Sequence, residues 1–72
     1  MTVLDAVLKE LESANQPMTA DEIFDAIVAR GSYSFKAKDP RSIVRSAIRR
    51  HIRGTTTPRL SEIRKGHFAL IR

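Results

Sequence analysis

The sequence predicts a small α+β domain, mainly helical, in which three helices are followed by a two-stranded β-hairpin. Three observations lead there. Residues 3–11 and 23–28 repeat apolar side chains at helical spacing. Asp39-Pro40 opens a third such stretch with a capping carboxylate and a proline suited to the first helical position. Near the end, two strand-like segments flank Lys65-Gly66, a two-residue turn with glycine second.

The first helix begins after Thr2, a plausible N-cap. Val3, Leu4, Val7, Leu8 and Leu11 form its apolar stripe, while Asp5, Lys9, Glu10 and Glu12 lie mostly outside it. Asn15-Gln16-Pro17 ends it, because proline disfavours helical geometry in the residue before it. Thr19-Ala20-Asp21-Glu22 reads as a capping box for the second helix, with Met18 and Ile23 placed for a hydrophobic staple. That helix runs through Ile23, Phe24, Ile27 and Val28 to about Arg30. Gly31 then stands where a left-handed C-cap is wanted.

Ser32-Tyr33-Ser34-Phe35 reads either as a short third strand or as a loop plugged into the core by its rings. Lys36-Ala37-Lys38 is a basic connector. The third helix spans residues 40–53, ended by Gly54 and the Thr55-Thr56-Thr57-Pro58 loop. Residues 60–64 and 67–71 are the hairpin strands; a primed turn at Lys65-Gly66 pairs Ile63 with Phe68 and puts Leu70 on the same core-facing side. The order of helix, helix, short strand or loop, helix, hairpin is that of a winged helix-turn-helix.

Seventy-two residues allow one domain and one core of marginal stability. The chain has no cysteine, so disulfide staples and zinc-finger ligands are ruled out and an intracellular home is expected. No apolar run approaches a membrane span, and the N-terminus lacks the pattern of a signal peptide. No cofactor, small-molecule substrate or catalytic constellation is expected. Met1 reads as a natural start, of either a whole small protein or the first domain of a longer one.

Charge is sorted by position. Residues 1–33 carry six acids and two bases, a net −4; residues 34–72 carry eleven bases and two acids, a net +9, giving +5 for the chain. In helical projection Val44, Ala47, Ile48, His51 and Ile52 gather on one arc of the third helix, with Ile43 at its margin. Ser42, Arg45, Ser46, Arg49, Arg50 and Arg53 cover the opposite side, with Arg41 at the boundary.

A solvated face is the ordinary explanation of charge opposite an apolar stripe. Such a face usually mixes signs, however, and Arg41, Arg45, Arg49 and Arg53 follow at four-residue steps with no acid between Asp39 and Glu62. Like charges at that spacing repel. The pattern suits a helix lying in the major groove of double-stranded DNA, with arginines on guanine edges or phosphates and small serines permitting close approach. Arg64, Lys65 and His67 around the hairpin turn, with Lys36 and Lys38 ahead of the third helix, complete the candidate DNA-binding set. His51, by contrast, points into the apolar arc and reads as a packing residue. Tyr33, Phe35, Phe24 and Phe68 read as core rather than stacking platforms. The acidic N-terminal half would face away from DNA and be open to a protein partner.

Three segments together resemble one family. Pro17-Met18-Thr19-Ala20-Asp21-Glu22-Ile23 looks like its approach to the second helix. Residues 31–40, with an aromatic after the glycine and a basic stretch before the third helix, look like its linker. Arg64-Lys65-Gly66-His67-Phe68-Ala69-Leu70 looks like its closing segment. The chain thus resembles the HARE-HTH domain, a winged helix-turn-helix found with restriction and DNA-modifying enzymes and in Asx-like chromatin proteins. The amino-terminal domain of the bacterial RNA polymerase delta subunit is similar. The resemblance implies a DNA-binding accessory module of restriction, modification or transcription machinery. The polymerase relative implies the alternative of a protein-interaction module. Tyr33 departs from the family, which commonly has tryptophan there, and the third helix is richer in arginine than the family leads one to expect.

Overall fold

The computed structural model describes residues 2–71; Met1, read above as a natural start, and Arg72, counted above in the basic half, lie outside the described residues. Three helices, α1 (Val3–Ala14), α2 (Ala20–Arg30) and α3 (Pro40–Gly54), pack on one another beside a small antiparallel sheet of β1 (Met18–Thr19), β2 (Leu60–Arg64) and β3 (His67–Leu70). β3 is central, with β1 and β2 on its two sides.

The helix ends follow local chemistry. The Thr2 hydroxyl accepts from the Asp5 N–H at 3.1 Å, and the Asp5 carboxylate accepts from the Thr2 N–H at 3.1 Å. Thr19 and Glu22 repeat this reciprocal box at 3.1 and 2.9 Å. Each box satisfies two backbone donors that the helix leaves without partners. Asn15 (φ 53°) ends α1 and Gly31 (φ 68°) ends α2, both in the left-handed region. The Ser32 N–H then closes on the Ile27 carbonyl at 3.1 Å. At the start of α3 the Asp39 carboxylate accepts from the Ser42 N–H at 3.4 Å, with Pro40 as the first helical residue.

Two strand expectations need correction. The short third strand is Met18–Thr19, not the segment 32–35. An N-cap takes extended backbone, and Thr19 (φ −77°, ψ 163°) does so. With Met18 it makes two consecutive extended residues, enough to pair with Phe68 and His67 along the open side of β3. Residues 32–35 take the loop alternative: Tyr33 and Phe35 are half-buried against the core, their ring centroids 5.1 Å apart, and Phe35 lies 5.2 Å from Phe24.

The hairpin register also differs. Glu62 faces Phe68 and Arg64 faces His67, leaving Ile63 as the extra residue of a bulge. A primed turn would require positive φ at Lys65, but of the two turn residues only Gly66 (φ 77°) has it. Such a turn does not match the right-handed twist of its strands, and the bulge absorbs the mismatch. Ile63 is therefore 54% exposed, and Leu60, the first residue of β2, is fully buried in its place.

The core contains Ala6, Val7, Leu8 and Leu11 of α1, Ile23 and Ile27 of α2, Val44 and Ile48 of α3, and Leu60 and Phe68 of the hairpin. All three helices and both hairpin strands contribute; each large aliphatic buried there contributes roughly 1.5–3 kcal/mol. One carboxylate joins them: Glu10, 2% exposed, meets Arg30 Nε at 3.1 Å and accepts from the Ser32 hydroxyl at 3.2 Å. His51 is half-buried, and its Nε2 accepts the Arg59 N–H at 3.0 Å, fastening the loop after α3 to that helix. Among the described residues no helix is long and apolar enough to cross a membrane.

Candidate nucleic-acid interface

The side of α3 away from Val44 and Ile48 carries Ser42, Arg45, Ser46, Arg49, Arg50 and Arg53, all exposed. The 3.6-residue repeat alone produces this division, because the buried aliphatics recur at four-residue steps and fix which arc faces inward. The start of α1 on one side, and α2 with the hairpin turn on the other, then divide the exposed side into two flanks.

On one flank Arg45 and Arg49 meet Lys65, Gly66 and His67 of the hairpin turn across a cleft of about 360 Å³, whose wall also includes Asp21 and Glu62. The turn is held in shape from within. Glu62 Oε2 accepts the Gly66 N–H at 2.8 Å, and His67 Nδ1 donates to the Lys65 carbonyl at 3.1 Å. His67 thus keeps its proton on Nδ1 for that bond, and Lys65 is left exposed. On the other flank Ser42, Ser46 and Arg50 border an apolar groove of about 470 Å³ floored by Ile43 and Ala47 and closed by the start of α1.

Arg41 stands apart. Its Nη1 lies 3.1 Å from Asp21 Oδ1 and its Nη2 lies 3.1 Å from Asp25 Oδ1, with the guanidinium 4.7 Å above the Phe24 ring. The hydrogen bond to Asp21 is the main reason its pKa rises above the ordinary arginine value, with Asp25 adding to it. Arg41 therefore fastens α3 to α2. Arg45 is partly drawn in as well, its Nη2 lying 3.5 Å from Asp21 Oδ1. Lys36 and Lys38 are exposed on the loop before α3, and Arg64 is exposed at the end of β2; none of these three makes an ion pair among the described residues.

The acids and bases differ sharply in what they do. Asp5, Glu22 and Asp39 cap the three helices. Glu10 holds Arg30, Asp21 and Asp25 hold Arg41, and Glu62 holds the turn. Glu12 is the one acid among the described residues with neither a hydrogen bond nor an ion pair. The bases show the reverse: only Arg30, Arg41 and Arg45 are paired among them. Lys9, Lys36, Lys38, Arg49, Arg50, Arg53, Arg59, Arg64 and Lys65 are exposed and make no ion pair among the described residues, and of these Lys9 alone lies in the acidic half. The spare charge of the molecule is positive and concentrated on the C-terminal half of α3, its following loop and the hairpin turn.

One participant escaped the sequence. Asp21 reads there as part of a capping-box segment, yet its carboxylate reaches Arg41 and Arg45 across the helix–helix contact. That contact has no periodic signature, since it depends on how the two helices pack. Comparison of the chain with known protein families, characterised proteins and solved structures finds no match.

Proposed function

We propose that this chain is a winged helix-turn-helix module, of the HARE-HTH kind that its sequence resembles, binding double-stranded DNA. In this reading α2 and α3 form the helix-turn-helix and the β2–β3 hairpin is the wing. α3 enters the major groove with Arg45, Arg49 and Arg53 on phosphates or guanine edges, and Ser42 and Ser46 permit close approach. Lys65, Arg64 and His67 meet the backbone beside it, Arg50 meets the opposite strand, and Lys36 and Lys38 reach phosphates ahead of the helix. Arg41 serves structure rather than contact.

The observation that carries this reading is the separation of committed acids from uncommitted bases. Nearly every carboxylate is occupied internally, whereas a set of arginines and a lysine has no ion-pair partner among the described residues. A polyanion supplies what that set lacks. The same observation weighs against docking through the acidic N-terminal half, whose carboxylates are engaged in caps and ion pairs.

The test is fluorescence anisotropy with a labelled random-sequence duplex at several salt concentrations, comparing the wild type with an Arg49→Glu/Arg53→Glu variant. With about five phosphates neutralised, log affinity should fall against log salt with a slope of about −4 to −5. The variant should lose binding at every salt concentration. Absence of salt-dependent binding by the folded wild type would overturn the proposal and turn the arginine face toward an acidic protein.

A further inference from the structure

Asp21 occupies an unusual position for an acid in a DNA-binding face. It lies in the first turn of α2, where the helix dipole favours it. Its Oδ1, however, points across to α3 and sits 3.1 Å from Arg41 Nη1 and 3.5 Å from Arg45 Nη2. Arg41 has a second carboxylate in Asp25 at 3.1 Å; among the described residues Arg45 has only Asp21. The Arg45 and Asp21 side chains are 54% and 56% exposed, so water reaches the pair and the contact is weak enough to exchange.

A guanidinium has five N–H donors in a rigid fork. The Asp21 contact reaches Nη2 alone, and Nη2 carries two N–H groups, one on each bidentate edge of the fork; with one turned to Asp21, the other still pairs with a neighbouring N–H of the guanidinium, and Arg45 lines the cleft. Two kinds of acceptor compete for that pair. A phosphate brings its negative charge against the Asp21 carboxylate, which opposes the contact. A guanine edge offers the O6 and N7 acceptors without a net charge, and the fork fits both while Asp21 stays in place.

We propose that Asp21 is a specificity-determining residue of the DNA site: it braces the Arg45 guanidinium for bidentate reading of guanine and discourages it from gripping phosphate. The inference rests on the DNA-binding reading above. Non-specific affinity is then carried by Arg49, Arg50, Arg53 and Lys65, while Arg45 contributes mainly at sites that place a guanine beneath it.

The experiment compares the whole chain as wild type, Asp21→Asn, Arg45→Ala and the double variant in two measurements. One is selection from a duplex library randomised at its centre; the other is anisotropy against a random-sequence duplex as salt is varied. The wild type should enrich guanine at one position, and both single variants should lose that enrichment. Asp21→Asn should also bind the random duplex roughly two- to fivefold more tightly and steepen the salt slope by about 0.9, as Arg45 turns to phosphate. Arg45→Ala in the Asp21→Asn background should return the slope to the wild-type value.

Retention of the wild-type preference and slope by Asp21→Asn would overturn the inference while leaving DNA binding intact. So would a wild type that binds duplex with no guanine-enriched position. Failure of every form to bind any duplex would overturn the DNA-binding reading itself and this inference with it.

Discussion

Glu10 offers a sharp test of what holds the fold together, because the ion pair it makes is buried at one end only. Its side chain is 1% exposed, whereas that of Arg30, 3.1 Å away, is 56% exposed. Truncating one member of a fully buried pair costs about 3–5 kcal/mol, since it leaves a charge in the interior with no partner. Water reaches Arg30, and the Ser32 hydroxyl still donates to Glu10, so the loss for Arg30→Ala reduces to about 2 kcal/mol. A domain of this length has a total stability of about 4–10 kcal/mol, so that change is a large fraction of it. It corresponds to a fall in melting temperature of about 8–16 °C.

Glu10→Met should behave differently. It removes the buried charge together with the need for a partner, and fills the site with an unbranched apolar chain of similar length. Arg30 is then free to turn to water. The expected change is within about 1 kcal/mol in either direction. Thermal unfolding followed by far-ultraviolet circular dichroism measures both variants. A Glu10→Met protein that melts as low as Arg30→Ala would refute the reasoning, for the intact pair would then be a net source of stability rather than a satisfied burial.

The bulged hairpin and the caps give two more tests. Leu60→Ala should cost about 2–4 kcal/mol in urea denaturation, whereas Ile63→Thr should cost under about 0.5 kcal/mol; the reverse order would restore the straight register that pairs Ile63 with Phe68. The Thr2 backbone N–H, then its side chain, hold the Asp5 carboxyl below its ordinary value of 3.8. A lowered folded pKa means that the ionised form stabilises the fold, fully so above that ordinary value, and that this contribution fades as pH falls through the depressed one. The melting-temperature gap between wild type and Asp5→Ala should therefore be constant from about pH 7 to about pH 5 and shrink below about pH 4. A gap that persisted into strong acid would show the carboxylate's charge to be irrelevant.

The helices were legible because their signals are local. Thr19 and Glu22 lie three residues apart, and their reciprocal bonds require nothing beyond that spacing. Gly31 takes a left-handed conformation that costs other residues free energy, and Asp39-Pro40 starts α3 for equally local reasons. The inward arc of α3 was legible for the same cause: a run of aliphatics at fixed spacing has one side to bury. The strands were harder to read. Met18–Thr19 has no strand-like alternation and pairs only because β3 presents an open edge beside it. Ile63 looks as apolar as Leu60, and its exposure follows from a turn conformation that Lys65-Gly66 does not uniquely dictate.

For the candidate site the division falls along the same line. The sequence by itself determined that the chain has an acidic front and a basic back, and that one helix turns arginines and serines outward opposite a buried stripe. Only the tertiary structure decided which of those charges remain available. Arg41 and Asp21 are separated by 20 positions and Arg45 and Asp21 by 24, and no periodicity spans such distances. Packing α2 against α3 brings them to ion-pairing range, withdraws Arg41 into the scaffold, and leaves the free positive charge mainly on the C-terminal half of α3 and the hairpin turn. Charge is a property of residues, but its availability depends on which neighbours the fold provides.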